Sequence, residues 1–226
     1  MDLSAAWIEL LVAAVPIIIA ITLHEAAHGY VAHIFGDDTA WLAGRVTFNP
    51  LKHIDPFGTV LLPALLYLSS GFLFGYAKPV PVNFGRLRNP RRDMVWVAAA
   101  GPGINLVLAM VSVLLIHLVR DLPTGGDLLV TGLIHSAEIN LVLAVFNMLP
   151  LPPLDGGRVA VGLLPLPLAI PLARLERYGM PIVMFALVLL PMIGQQMHLD
   201  LNIIAWIVVP PVEFLEGLLL RVAGLG

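Results

Sequence analysis

Two histidines four residues apart, with a glutamate beside the first, form the most specific chemical pattern in this sequence. The stretch ITLHEAAHGY places His24, Glu25 and His28 in an otherwise apolar run. On a helix, residues four apart lie on one face, one turn from each other. Two imidazoles at this spacing can bind one zinc ion, and the adjacent carboxylate can take a proton from water at the metal. The pattern is HExxH, and it predicts a hydrolytic zinc centre.

Such a centre needs a third protein ligand, because catalytic zinc is usually held by three side chains and keeps an open position. The strongest candidate is Asp155, in the stretch FNMLPLPPLDGGRV (146–159). Its prolines remove backbone donors, and Gly156 and Gly157 permit unusual dihedral angles, so the chain can unwind there and direct a carboxylate inward. By itself LDGG is more often a plain turn. Its combination with HExxH favours a metal site of His24, His28 and Asp155.

The composition sets the class of protein that must position these residues. Hydrophobic residues make up 59% of the 226 residues, charged residues 12%, and the mean hydropathy is +0.93. Soluble domains carry about 25% charged residues, so we expect a multi-pass membrane protein. The absence of cysteine excludes disulfides and cysteine-ligated metal. A net charge of −3 gives no reason to expect nucleic acid as a partner.

Stretches of about 20 apolar residues predict the membrane-spanning helices. We expect an all-α polytopic protein with about five to six transmembrane helices, forming one domain over 1–226. Its catalytic core covers about 5–160 and its C-terminal helices about 178–222. The expected spans are 5–35, 93–119, 128–150, 178–195 and 201–222.

A further apolar segment, 55–83, is interrupted by Pro56 and Pro63 and either spans the membrane or re-enters it. Lysine and arginine are enriched on the cytoplasmic side. With re-entry, all of these residues except Arg120 lie on one side, whereas a span would move two of them across. This favours re-entry, a cytoplasmic loop at 85–93, and an active site toward the cytoplasmic side of the cell membrane.

Two short stretches read as extended rather than helical. GRVTFNP (44–50) alternates polar and apolar residues, and KPVPVN (78–83) contains prolines that push the preceding residue toward extended geometry. We expect short β-strands at the membrane surface.

Together these motifs resemble the site-2 protease family of intramembrane zinc metalloproteases. HExxH lies in an early membrane helix, and NMLPLPPLDG (147–156) matches the family's N-x-x-P-x-P-x-L-D-G pattern. AGPGIN (100–105) resembles its G-P-x-x-N stretch. The resemblance covers about 20–160, the whole catalytic core. In size the chain resembles minimal prokaryotic members without a PDZ or CBS domain.

The resemblance implies that His24, His28 and Asp155 bind one zinc ion per chain and that Glu25 is the general base. It also implies that Asn147 holds the substrate or stabilises the oxyanion. The expected activity is hydrolysis of peptide bonds in or near transmembrane segments, as in regulated intramembrane proteolysis. The expected partners are a membrane-protein substrate with a transmembrane helix and the lipid bilayer. Homo-oligomerisation stays open.

The main alternative is a metal-ion or proton transporter, since intramembrane His, Glu and Asp residues also mark such pathways. Transporters often show internal repeats, and none is visible here. A transport site would also use Glu25 as a ligand.

Asn105 is equally a polar contributor to the site or part of a small-residue packing stretch. Asn140 predicts an interhelical hydrogen bond, and His53 and Asp55 a well-ordered turn.

Overall fold

The computed structural model describes residues 3–70 and 75–225, and these residues form helices and irregular segments without a β-strand. Short 3₁₀ turns occupy Pro50–Lys52 and Phe84–Arg86. A π-helical turn, Pro56–Leu61, precedes the third helix, and another, Phe185–Leu189, joins the eighth to the ninth. The helices are α1 (Leu3–Ile34), α2 (Thr39–Leu42), α3 (Leu62–Ser70), α4 (Pro90–Val119), α5 (Gly126–Asn147), α6 (Asp155–Leu163), α7 (Leu166–Arg174), α8 (Glu176–Met184), α9 (Leu190–Met197) and α10 (Ile203–Val222).

Five helical stretches of the described residues are long and apolar enough to cross a membrane. At 1.5 Å of rise per residue, about 20 residues cover the hydrocarbon core. This confirms the membrane class and the helical fold. Four of the five spans begin and end within three residues of their predicted ranges, whereas the first begins at Ala14 instead of residue 5. The stretches are Ala14–Ile34, Pro90–Val119, Gly126–Asn147, Glu176–Met197 and Ile203–Val222.

Helices α1, α4 and α5 pack together, and their side-chain contacts give their directions. His24 and His28 of α1 meet Asn105 and Val97 of α4, so these two helices run antiparallel. Helix α5 is also antiparallel to α4, since Ser136 contacts Ser112 and Asn140 contacts Asn105. Helices α1 and α5 are therefore parallel, and both C-terminal ends lie at the same end of the molecule.

The segment 55–83 turns back on itself. The Tyr76 amide donates to the Gly58 carbonyl at 3.0 Å, and the Lys78 amide donates to the His53 carbonyl at 2.9 Å. Its apolar helical part, Pro56–Leu66, is shorter than a span. Because His53, just before the segment, pairs with Lys78 near its end, the two ends lie together, in agreement with re-entry.

The expectation of β-strands at 44–50 and 78–83 is wrong, since both stretches are described and neither forms a ladder. Pro79 and Pro81 have no amide hydrogen, and the Arg45 guanidinium bridges the two stretches by donating to the Lys78 carbonyl at 2.8 Å. Three amides of the second stretch bond elsewhere: Lys78 donates to the His53 carbonyl, Val80 to the Glu25 carboxylate and Asn83 to the Asp37 carboxylate.

Asp37, just after α1, anchors the end of this second stretch. Its carboxylate is fully buried and accepts from the Thr39 hydroxyl at 2.5 Å, the Thr39 amide at 3.1 Å and the Asn83 amide at 2.6 Å. Burial alone would raise the pKa of Asp37, but these hydrogen bonds and the nearby Arg86 charge lower it below its ordinary value. The ionised carboxylate therefore stabilises this junction.

We predict that Asp37→Asn lowers the free energy of unfolding by about 2 kcal/mol at neutral pH, because a buried charged acceptor is lost. Asp38→Asn, at an exposed neighbour, should change it by less than about 0.5 kcal/mol. Because the folded pKa of Asp37 is lowered, its contribution is complete above the unfolded pKa of about 3.9 and disappears as pH falls through the folded value. The difference between wild type and Asp37→Asn should therefore shrink below about pH 4. Tryptophan fluorescence during unfolding in detergent measures it, and a difference that grew on acidification would contradict this assignment.

Candidate metal centre

The three predicted ligands converge on one point. His24 Nε2 lies 3.1 Å from Asp155 Oδ2, His28 Nε2 lies 3.3 Å from the same oxygen, and the two Nε2 atoms are 3.1 Å apart. The histidines come from one face of α1, and Asp155 is the first residue of α6. Among the described residues, this is the group of His, Asp and Glu side chains whose ligand atoms come close enough for one metal ion.

Two glycines let the carboxylate of Asp155 reach this point. After α5 ends at Asn147, the chain folds back against the first turn of α6. A Cβ atom on Gly156 would lie 2.1 Å from the Met148 carbonyl oxygen, and one on Gly157 would lie 2.2 Å from the Pro152 nitrogen. Both glycines are therefore required by close approach of the backbone, and the prolines of the loop keep it out of helical geometry.

Helix α4 holds the far side of each imidazole ring. His28 Nδ1 lies 2.7 Å from the Val97 carbonyl, which can only accept, so Nδ1 carries the hydrogen and Nε2 has the free lone pair. His24 Nδ1 lies 2.5 Å from Asn105 Oδ1. Hydrogen bonds of this kind, from the ring nitrogen that does not bind metal, orient histidine ligands in metal sites.

The residues fit zinc. Asp155 Oδ2 is a buried carboxylate oxygen without a hydrogen-bond partner, although two ring nitrogens lie close to it. Tetrahedral zinc with bonds of 2.0–2.1 Å separates its ligand atoms by about 3.3 Å, which matches the three distances. A carboxylate and two imidazoles also form a donor set that zinc accepts in hydrolytic sites. A shared cation would satisfy the oxygen and both nitrogens together.

Glu25, the predicted general base, stands beside this group rather than in it. Its Oε2 accepts a hydrogen bond from the Val80 amide at 2.7 Å, so the carboxylate faces the irregular 78–83 stretch. The side chain is only partly buried. Glu25 is therefore adjacent to the ligands in sequence but is not one of the clustered metal-binding residues.

The other polar residues singled out from the sequence lie apart from the three ligand atoms in their described contacts. Asn147 ends α5 and donates its side-chain amide to the Leu143 carbonyl of the same helix at 3.0 Å. His53 is buried, with Nε2 3.1 Å from the Thr47 carbonyl. Asp55 caps the π-helical turn by accepting from two of its amides. The last two residues order the turn, as predicted.

Sequence reasoning missed the contributions that come from main-chain atoms and from an absent side chain. The Val97 carbonyl and the Val80 amide act regardless of residue type, so no pattern identifies them. Gly101 of α4 belongs to the G-P-x-x-N stretch and to a small-residue stretch, but neither pattern gave it a role beside the histidines. A Cβ atom there would lie 2.5 Å from the Nε2 atoms of both His24 and His28. A glycine four residues before an asparagine is the signal that could have shown this.

We predict that Gly101→Ala lowers zinc affinity at least tenfold, because the added methyl group displaces both rings from the ligand position, an effect comparable to losing an outer-shell partner. Gly103→Ala is the matched control, since a Cβ atom there meets nothing within 4 Å. Competition with a chelator for zinc, on detergent-purified protein, measures both variants. Equal affinities for the two would contradict the proposed packing.

Comparison with known proteins agrees with this geometry. YwhC of Bacillus subtilis is 44% identical over 172 residues, covering 73% of this chain and 74% of YwhC. Rip2 of Mycobacterium tuberculosis is 32% identical over 139 residues, covering 62% of this chain and 52% of Rip2. MJ0611 of Methanocaldococcus jannaschii is 34% identical over 140 residues, covering 60% of this chain and 62% of MJ0611. Each is named "Putative zinc metalloprotease".

The chain thus spans about half the length of Rip2 but about three quarters of YwhC. No protein-family model matches the chain, and no solved structure matches it. The three relatives are members of the site-2 protease family. The HExxH helix, the clustered third ligand and the identity to YwhC lead to one conclusion: this chain belongs to the site-2 protease family of zinc metalloproteases.

Proposed function

We propose that this protein is a zinc endopeptidase that cleaves inside the membrane, hydrolysing peptide bonds in or near transmembrane segments of membrane-protein substrates. The observation that carries the proposal is the convergence of His24, His28 and Asp155 within a bundle of membrane-spanning helices. His24 is the middle residue of the span Ala14–Ile34. By helix rise it lies roughly 15 Å from either end of that span, which is the depth of a substrate's own transmembrane helix.

The chain's residues divide the chemistry among them. His24, His28 and Asp155 would hold zinc, which when bound lowers the pKa of water to about 7 and polarises a carbonyl. Glu25 takes a proton from the attacking water and passes it to the leaving nitrogen. The Val80 amide occupies Oε2 of Glu25, so it orients the carboxylate and leaves Oε1 as the proton acceptor.

Asn147 is the proposed contact to the substrate or the oxyanion. Its side-chain amide donates a hydrogen bond to the Leu143 carbonyl, one turn back in α5. This bond uses one of the two amide hydrogens, so a second hydrogen and Oδ1 are left for a substrate that comes within reach. Its contribution would therefore arise when substrate binds, and we expect it to be smaller than that of Glu25.

The position of Glu25 favours hydrolysis over ion transport. A transport site would use this carboxylate as a ligand beside the two histidines. Instead, the carboxylate accepts from the Val80 amide and stays outside the ligand group. An unliganded carboxylate next to an HExxH metal position is what a general base requires.

We predict that Glu25→Gln abolishes cleavage, because the amide cannot accept the proton. Glu138→Gln is the matched control, since Glu138 is an exposed glutamate in the middle of the spanning helix α5. Membranes from cells expressing each variant are analysed by mass spectrometry for new peptide termini inside transmembrane segments. We expect termini that are present with wild type and with Glu138→Gln and absent with Glu25→Gln. Cleavage by Glu25→Gln at near-wild-type levels would overturn the proposal.

We also propose that the active site opens toward the cytoplasm. The ends of α1 and α5 that lie together are followed by Arg45 and Arg158, and the basic loop 85–93 is attached at this same end. Arg120, after α4, lies at the opposite end. Basic residues concentrate on the cytoplasmic side of membrane proteins, so this distribution supports the orientation.

Single cysteines test this orientation cleanly, because the chain contains none of its own. Arg88→Cys should react with a membrane-impermeant maleimide in inverted membrane vesicles but not in intact cells. Arg120→Cys should show the reverse pattern, and both positions are exposed. Labelling of Arg88→Cys from outside intact cells would contradict the proposed orientation.

A further inference from the structure

The contact between His24 Nδ1 and the Asn105 side chain does not by itself establish which nitrogen of the ring carries the hydrogen. An asparagine side chain can present either its oxygen or its nitrogen to a ring nitrogen, and the two ends look nearly alike in shape. If Asn105 presented its nitrogen, His24 Nδ1 would have to accept, and the ring hydrogen would move to Nε2. That hydrogen would point at the metal position and prevent binding.

A chain of buried hydrogen bonds fixes the orientation of Asn105 and, through it, the tautomer of His24. Asn140 donates Nδ2 to the Ser136 carbonyl at 2.8 Å, and this main-chain oxygen can only accept. Asn140 Oδ1 therefore faces Asn105, and Asn105 donates Nδ2 to it at 2.7 Å, with the Ala20 carbonyl of α1 as a second, longer acceptor at 3.5 Å. Asn105 Oδ1 is then left facing His24 Nδ1 at 2.5 Å, so Nδ1 must carry the hydrogen. The lone pair of His24 Nε2 points toward Asp155 and His28.

We propose that Asn105 and Asn140 are positioning residues that fix the metal-binding tautomer of His24. In this hydrogen-bond relay the Ser136 carbonyl orients Asn140, Asn140 orients Asn105, and Asn105 holds the hydrogen of His24 on Nδ1. The inference rests on the proposed zinc centre and assigns two residues to its assembly. Asn140 acts without touching a ligand, because its only link to His24 passes through Asn105.

The burial of both asparagines prevents either amide from turning over within this relay of hydrogen bonds. Asn105 is 0% exposed and Asn140 is 1% exposed, so water cannot replace a mismatched partner. Turning either amide over would set two N–H groups or two oxygens against each other in a medium of low polarity, where an unpaired polar group is costly. The relay also joins all three central helices, since Asn105 of α4 connects α1 to α5.

Four variants in the full chain separate tautomer control from simple packing. Asn105→Leu and Asn140→Leu remove each amide but keep the number and branching of the side-chain heavy atoms. Asn105→Asp, as the neutral acid that burial favours, keeps an acceptor for His24 Nδ1–H and donates its hydroxyl to Asn140 Oδ1. Ser112→Ala is the control, because it removes another buried polar contact between α4 and α5, the 2.8 Å contact to the Ser136 hydroxyl, but leaves the relay intact.

The first measurement is zinc affinity by chelator competition on detergent-purified protein, with zinc as the only ligand. Loss of an outer-shell partner of a histidine ligand typically costs 10–100-fold in metal affinity. We expect such a loss for Asn105→Leu and about a tenfold loss for Asn140→Leu. Asn105→Asp and Ser112→Ala should stay within about threefold of wild type. Wild-type affinity in Asn140→Leu, or equal losses in Asn105→Leu and Asn105→Asp, would overturn the inference.

The second measurement reads the tautomer directly and needs no metal. In metal-free protein with ¹⁵N-labelled histidine, the His24 signals are identified by their loss in His24→Gln. Wild type should show a protonated Nδ1 and an unprotonated Nε2, and Asn140→Leu should show a mixture. An unprotonated Nδ1 in wild type, with the ring hydrogen on Nε2, would overturn the relay. Because this result does not depend on zinc, it is distinguishable from failure of the proposed function, which would appear as a wild type that binds no zinc.

Discussion

The close approach of α4 to α1 at Gly101 is the contact on which the site depends. The imidazoles of His24 and His28 lie against the backbone of α4 there, since a Cβ atom would collide with both rings. Val97 and Asn105 stand one turn to either side of Gly101, and each presents an oxygen to the Nδ1 of one histidine. Two acceptors, four residues to either side of Gly101, thus serve two histidines that are four residues apart on α1. An apolar medium offers no other partners for these rings, so the two acceptors allow two polar side chains to lie inside a spanning helix.

The position of Asp155, the proposed third ligand, depends on a second region of close packing, which gives the C-terminal part of the chain a structural role. The loop before α6 returns Asp155 to the histidines, and Gly179 of α8 packs directly against that loop. A Cβ atom on Gly179 would lie 1.8 Å from the Pro152 carbonyl oxygen. Although residues 178–222 carry no recognisable motif, α8 supports the loop that delivers the carboxylate.

The sequence was informative where function resides in side chains of distinctive type. HExxH and LDGG identified the residues that the fold brings together, and hydropathy located the five spans. It was uninformative where main-chain atoms do the work. The Val97 carbonyl and the Val80 amide could belong to any residue, and their roles appear only once helices are packed. The same effect explains the missing strands, because the amides of 78–83 bond to carboxylates and to a loop carbonyl instead of a neighbouring strand. Asn105 is an intermediate case, because the sequence shows the residue type but not its hydrogen-bond partners.

The central claim is that His24, His28 and Asp155 hold zinc while Glu25 remains outside the ligand set. Zinc per chain in detergent-purified protein, measured by elemental mass spectrometry for wild type, Asp155→Ala and Glu25→Gln, tests it most directly. We predict about one zinc in wild type and in Glu25→Gln, and a marked loss in Asp155→Ala, as expected for a site with three protein ligands. Loss of zinc from Glu25→Gln to the same extent as from Asp155→Ala would make Glu25 a ligand, and it would contradict this account.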